Sequence, residues 1–287
     1  MHIKRFVTYY SNGILERNWK VVVKVFAKSF NHKYLLNYKF VNEKMANVDV
    51  FFVDLTELKK VYSIEVIIGV GGDRIAISDD GKYLVTALYE KKFFVYELKS
   101  NKMNQFKTNK NIDNVEIINQ QIYIFFSNGK VSIYDLNGNL IETKASIDYV
   151  KIDLYGDHYL INDEIVKIHK NIKPLKNSFF YKMLIWDEKI IVSELDGRLA
   201  CYNMNGQMVW EYLSKDNNAR FYEIAYFKRK NVIAIEVHYI KQQEKILLLD
   251  AAFGNVMENK DINAKGIIFL PGCECYVDDQ LNVCNIM

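Results

Sequence analysis

The chain repeats itself. Gly129–Lys144, "GKVSIYDLNGNLIETK", and Gly197–Tyr212, "GRLACYNMNGQMVWEY", align without a gap. Four positions are identical, and most others keep their character: Arg against Lys, Leu against Val, Asn against Asp, Met against Leu. A chain that copies its own segments is built from units that cannot each bury a core alone and must stack on their neighbours.

The two stretches lie 68 residues apart, and a worn copy, "EIVKIHKNI" (Glu164–Ile172), sits midway with His169 in the Tyr place. Extending outward adds "VFFVDL" (Val50–Leu55), "FFVYEL" (Phe93–Leu98), "EKILLLD" (Glu244–Asp250) and "LNVCNI" (Leu281–Ile286). The residue after the last core position then runs Asp54, Glu97, Asp135, Lys170, Asn203, Asp250 and Asn285, seven copies spaced 33 to 47 residues apart. Within a copy the order is constant: an apolar strand such as "FYKMLIW", a second such as "KIIVSELDG", the anchored third, and a shorter, more polar fourth such as "QMVWEY". Period-two alternation and Ile, Val, Tyr and Phe mark strands, and Asn-Gly and Asp-Gly mark hairpins. Gly numbers only 13 and Pro 2, so the 28 Asn are expected to make many of the turns. Four antiparallel strands about every 40 residues describe a β-propeller blade.

The expectation is therefore an all-β, seven-bladed β-propeller over a single domain, residues 1–287. The seventh copy stops after its third strand, and "IKRFVTYY" (Ile3–Tyr10) has no place in the first blade. Set beside Leu281–Met287 it would close the ring and remove exposed edges. Six blades is the rival, because copy four is degenerate. A closed ring needs no second subunit, which points to a monomer.

"ISDDGKYLVTALYEKKFFVYEL" (Ile77–Leu98) resembles WD40 and YVTN-type repeats, and "LDGRLACYNMNGQMVWEY" resembles the repeat of quinoprotein (PQQ-like) propellers. The resemblance spans the chain as loose repeats, without Trp-Asp or Gly-His signatures. A quinoprotein likeness implies PQQ, calcium, export and adjacent cysteines. This chain has no Cys-Cys pair and no apolar leader in "MHIKRFVTYYSNG", so no cofactor is expected. No stretch approaches a membrane span, four cysteines make no disulfide scaffold, and a net charge of +3 does not argue for nucleic acid. A cytoplasmic protein is the expectation.

Catalytic signatures are missing: no G-x-S-x-G elbow, Walker loop or dinucleotide fingerprint, with "GVGGD" (Gly69–Asp73) read as a turn. The histidines His2, His32, His158, His169 and His238 show no H-x-x-x-H spacing. In "CECYVDDQLNVC", a two-residue Asp279-Gln280 turn sets Cys275 opposite Cys284, with Cys273 on the same side. These thiols read as small buried hydrophobes rather than zinc ligands, and no metal is expected. Asp79-Asp80 and Asp278-Asp279 read as turn acids, and Lys99–Asn111 as a solvated outer edge.

One feature points to binding. The second positions of the innermost strands are Arg74, Asn114, Tyr149, Tyr181, Tyr222 and Lys265, which in a propeller ring one mouth of the central channel. Tyr suits recognition by its apolar body and polar tip. The second-to-third-strand connections Val41–Val48 and Tyr239–Glu244 read as longer loops on that face. The reading is a non-enzymatic protein- or peptide-binding module. One alternative is a channel enzyme (hydrolase, lyase or quinoprotein-like oxidoreductase), for which Glu116, Lys151, Asp153 and Glu223 are on offer. Another is an inhibitor or immunity-type partner of one toxin or enzyme.

Overall fold

In a computed structural model, the protein is described at residues 25–29, 31–54, 57–69, 74–126, 130–145, 180–186, 188–194, 197–203, 205–216, 219–239, 244–262 and 266–286. Copy four, Ile3–Tyr10, Tyr149, Lys151, Asp153 and Lys265 lie outside these residues. The described strands gather in two compact units, 25–145 and 180–286.

In the first unit, three four-stranded antiparallel sheets follow the chain. They are β1 (Val25–Lys28), β2 (Tyr34–Asn42), β3 (Met45–Val53) and β4 (Leu58–Ile67); β5 (Ile75–Ile77), β6 (Tyr83–Leu88), β7 (Lys92–Glu97) and β8 (Lys102–Lys107); and β9 (Ile112–Ile118), β10 (Gln121–Phe126), β11 (Lys130–Tyr134) and β12 (Leu140–Ala145). The second unit holds β13 (Phe180–Trp186), β14 (Lys189–Glu194), β15 (Arg198–Asn203) and β16 (Met208–Leu213); β17 (Ala219–Phe227), β18 (Val232–Tyr239), β19 (Lys245–Asp250) and β20 (Val256–Asp261); and a three-stranded sheet of β21 (Ile267–Leu270), β22 (Cys275–Asp278) and β23 (Val283–Asn285). Among the described residues the helical content is one 3-10 turn, Pro271–Cys273. No helix there is long and apolar enough to cross a membrane.

Burial grades across each sheet. The first strands β5 and β21 are buried at every position, whereas the fourth strands β8 and β20 are mostly exposed. Lys99–Asn111 thus supplies an outer edge, as its lysines predict. Each core draws on two consecutive sheets. Leu36, Val48 and Val50 meet Ile75, Leu84 and Phe94; Val85, Phe93 and Val95 meet Val115, Ile117 and Ile124; Ile191, Leu199 and Trp210 meet Phe221, Ile235 and Leu249; Phe227, Ala234 and Ile246 meet Ile267 and Phe269. This is the reason the sequence repeats: one sheet is two-sided and finds its core only between neighbours.

The repeat anchors have a local task. Asp135, Asn203 and Asp250 end their strands and accept backbone N–H bonds with their side-chain Oδ1, from Asn139, from Asn205 and Gln207, and from Ala252 and Phe253. A short acceptor at this place starts the turn into the fourth strand. Asp80 does likewise, taking Ser78 Oγ and Lys82 N. Asn101, Asn119 and Asn231 do adopt positive φ, but so do His32, Lys91, Gln120, Glu188, Glu274 and Leu281. The scarcity of glycine is therefore met by several residue types, not by Asn alone.

Two expectations are corrected. Val41–Val48 is not a long loop: β2 and β3 run on as paired strands to Asn42 and Met45, and a two-residue turn suffices. The alternation continues there on an exposed end, so its polar residues resemble a loop. The cysteine hairpin is also off by one. Its turn has three residues, Asp279–Leu281, because Leu281 takes φ 69°. Cys284 therefore faces Tyr276, and Cys275 faces Asn285. A one-residue slip moves a side chain to the other face of the sheet, so the three thiols do not share one side.

Cys201 and Cys275 are buried, and burial pushes both thiols up to about 12. Their thiolate fraction at neutral pH is negligible. Treatment of the native protein with iodoacetamide at pH 8 is expected to leave both unmodified, with Cys284, at intermediate exposure, labelled first. Peptide mass mapping checks this; labelling of Cys275 as fast as in urea would refute its packing.

Candidate functional site

The strand-start end of the sheets carries a repeated irregularity. In β9, β13 and β17 the pairing with the second strand slips by one residue near where the first strand begins. Phe125 pairs Asn114 but Phe126 pairs Ile112. Phe180 pairs Glu194 but Lys182 pairs Ser193, so Tyr181 is the extra residue. Phe221 pairs Val237 but Ile224 pairs Ile235, so Tyr222 and Glu223 oppose Glu236. A β-bulge breaks the ladder, bends the strand and re-aims the side chains beside it. The positions singled out in the sequence as Asn114, Tyr181 and Tyr222 lie at these three bulges.

Their surroundings differ. Arg74 is 6% exposed. Its Nε donates to the Ile112 carbonyl at 3.1 Å, and its guanidinium lies 5.2 Å from the Tyr89 ring centre. Asn114 is 5% exposed, and neither its Oδ1 nor its Nδ2 has a hydrogen-bond partner among the described residues. Tyr222 is half-buried, with its ring 4.3 Å from the imidazole of His238.

His238 is the centre of a group that sequence reasoning missed. Its Nε2 lies 2.9 Å from Glu236 Oε1, and its Nδ1 lies 3.2 Å from Glu244 Oε1. Period two puts Glu236 and His238 on one face of β18. The pairing of Val237 with Lys245 sets Glu244 directly across from His238. Glu236 shares its face with Ala234 and Ile246, which pack toward β21. Its carboxylate is fully buried, and its Oε2 has no hydrogen-bond partner among the described residues. Glu223, also buried, acts on it electrostatically through the bulge. Complete burial pushes the Glu236 carboxyl up to about 7, against the pull of His238. Burial disfavours charge on His238, but Glu236 and Glu244 outweigh it and raise its pKa. One signal for the group stood in the sequence: "EVH" inside a strand, followed by a glutamate across the hairpin. Glu116 and Glu223, the inner-strand acids singled out in the sequence, lie in separate sheets.

No protein-family model matches the chain, and no curated protein matches it. Solved structures do. The chain is similar to the Cps50 (Swd1) beta-propeller domain of Myceliophteria thermophila, at 8% identity and TM-score 0.58, over 91% of this chain and 96% of that one. It is similar to Hsv2 of Kluyvelomyces marxianus, at 8% identity and TM-score 0.60, over 89% and 93%. It is also similar to the RRP9 WD40 repeats, at 12% identity and TM-score 0.53, over 88% and 85%. At these identities the likeness concerns the fold alone, that of the β-propeller.

Proposed function

We propose that this chain is a non-enzymatic protein-binding module: one seven-bladed propeller over residues 1–287, its ring completed by Ile3–Tyr10, with the strand-start end as its binding face. The observation that carries the reading is the bulge repeated at that end in β9, β13 and β17. Three separate breaks of ladder pairing at equivalent places cost hydrogen bonds, and bulges are over-represented where a site is built. The residues beside them include two tyrosines, a type enriched at binding hot spots. Similar solved structures named as WD40 repeats support a binding module as the general class.

Proteins retained by the immobilised chain from its source cytosol are compared with those retained by the Tyr149→Ser/Tyr181→Ser/Tyr222→Ser variant, both shown to melt cooperatively. The expected result is a protein bound by the wild type and weakened at least tenfold in the variant. Equal binding by both overturns the assignment of the face. Absence of any bound protein overturns the module and favours a small-molecule enzyme.

A further inference from the structure

We infer that Glu236, His238 and Glu244 form a binding site for a divalent transition-metal ion of the zinc class. The site is independent of the partner-binding reading. One donor atom from each of the three residues lies within 4.8 Å of the other two. Donors of a tetrahedral zinc ion, at bond lengths of about 2.0–2.2 Å, stand about 3.5 Å apart, so the set needs only to close by roughly an ångström. Rotamer adjustment at Glu244, whose side chain is partly exposed, supplies that movement.

Two further observations point to a cation. First, Glu236 is fully buried, and its Oε2 faces no hydrogen-bond donor among the described residues. A buried carboxylate oxygen left in this state is costly unless a cation or donor meets it. Second, the positions are built by rigid pairing. Glu236 and His238 are fixed on β18, Glu244 is set by the β18–β19 register, and the Tyr222 ring covers the imidazole.

The donor set decides the class of ion. An imidazole with two carboxylates suits zinc and its first-row neighbours, whereas magnesium and calcium prefer all-oxygen shells. His238 ligates through one ring nitrogen. With three protein ligands, a coordination position remains for water or a ligand atom.

The test loads the full chain with Zn2+, removes excess by gel filtration and measures bound metal, with Co2+ absorption as a spectroscopic readout. One Zn2+ per chain is expected, with a ligand-field spectrum for Co2+ and no comparable retention of Mg2+ or Ca2+. His238→Ala is expected to abolish retention, and Glu244→Gln, at the accessible edge, to weaken it at least tenfold while melting like the metal-free wild type. No stoichiometric zinc on the wild type, or equal zinc on wild type and Glu244→Gln, overturns the site. Loss of zinc and loss of a protein partner are read separately, so either reading can fail alone.

Discussion

Phe93→Ala is expected to destabilise the protein by about 3–5 kcal/mol, lowering its melting temperature by on the order of 10 °C. Phe93 is fully buried on β7. Its ring lies 5.0 Å from that of Phe106 on the outer strand and 5.1 Å from that of Tyr134 in the next sheet. Both neighbours belong to strands with their own ladder pairings, so neither can move in to fill the space. The cavity term therefore adds to the lost transfer energy. Phe253→Ala is the control: that ring is 72% exposed in the β19–β20 turn, and its loss is expected to change stability by less than about 0.5 kcal/mol. Thermal and urea melts of both variants check this. A Phe93→Ala protein as stable as Phe253→Ala would mean that the core between these sheets is not packed as described.

Gly138→Ala and Gly254→Ala are expected to cost about 2–5 kcal/mol each, combining roughly 1–2 for a left-handed backbone with roughly 1–3 for overpacking. The two glycines hold one place in the repeat, the turn from third to fourth strand, at φ 80° and 71°. Each lies under a ring from the outer strand of the preceding sheet. A Cβ on Gly138 would run into Phe106, and one on Gly254 would come to 2.5 Å from Trp210 Cε3. Trp210 is held there by its Nε1–H, which donates to the Ala251 carbonyl at 3.1 Å. Gly197→Ala separates the two contributions. Its φ is 88°, but its nearest neighbour would be Ser214 Cβ at 3.1 Å, so it should cost mainly the conformational 1–2 kcal/mol or so. A double-mutant cycle of Gly254→Ala with Trp210→Leu should show coupling of about 1 kcal/mol or more. Strict additivity would sink the ring-on-glycine account.

Much of this architecture is legible without coordinates. The unbroken apolar runs in "FFVYEL" and "KILLLD" report strands buried on both faces, and Asp135, Asn203 and Asp250 report the turn that follows. Those signals are local, since they depend on a short apolar run and on a side chain bonding to its own backbone. The failures are also local in origin. Leu281 in a left-handed turn gives no compositional warning, and one extra turn residue moved Cys284 to face Tyr276. The end of β2 looks like a loop because Asn42, Glu43 and Lys44 follow one another beside an exposed Val41, although Ala46 and Val48 of β3 are buried.

The candidate sites divide along the same line. Reading the strand starts in register located Asn114, Tyr181 and Tyr222, where the bulges lie. It did not show that Arg74 and Asn114 are buried, nor that His238 stands between two glutamates. The sequence by itself determined that the chain is a series of four-stranded units that must stack, because apolar periodicity and turn chemistry act within a few residues. Only the tertiary structure decided which polar groups are drawn out of water. Burial of Glu236 is imposed by the neighbouring sheet, and the approach of Glu223 and Glu244 depends on a bulge and a cross-strand register. These are relations between strands, which no single stretch of sequence encodes.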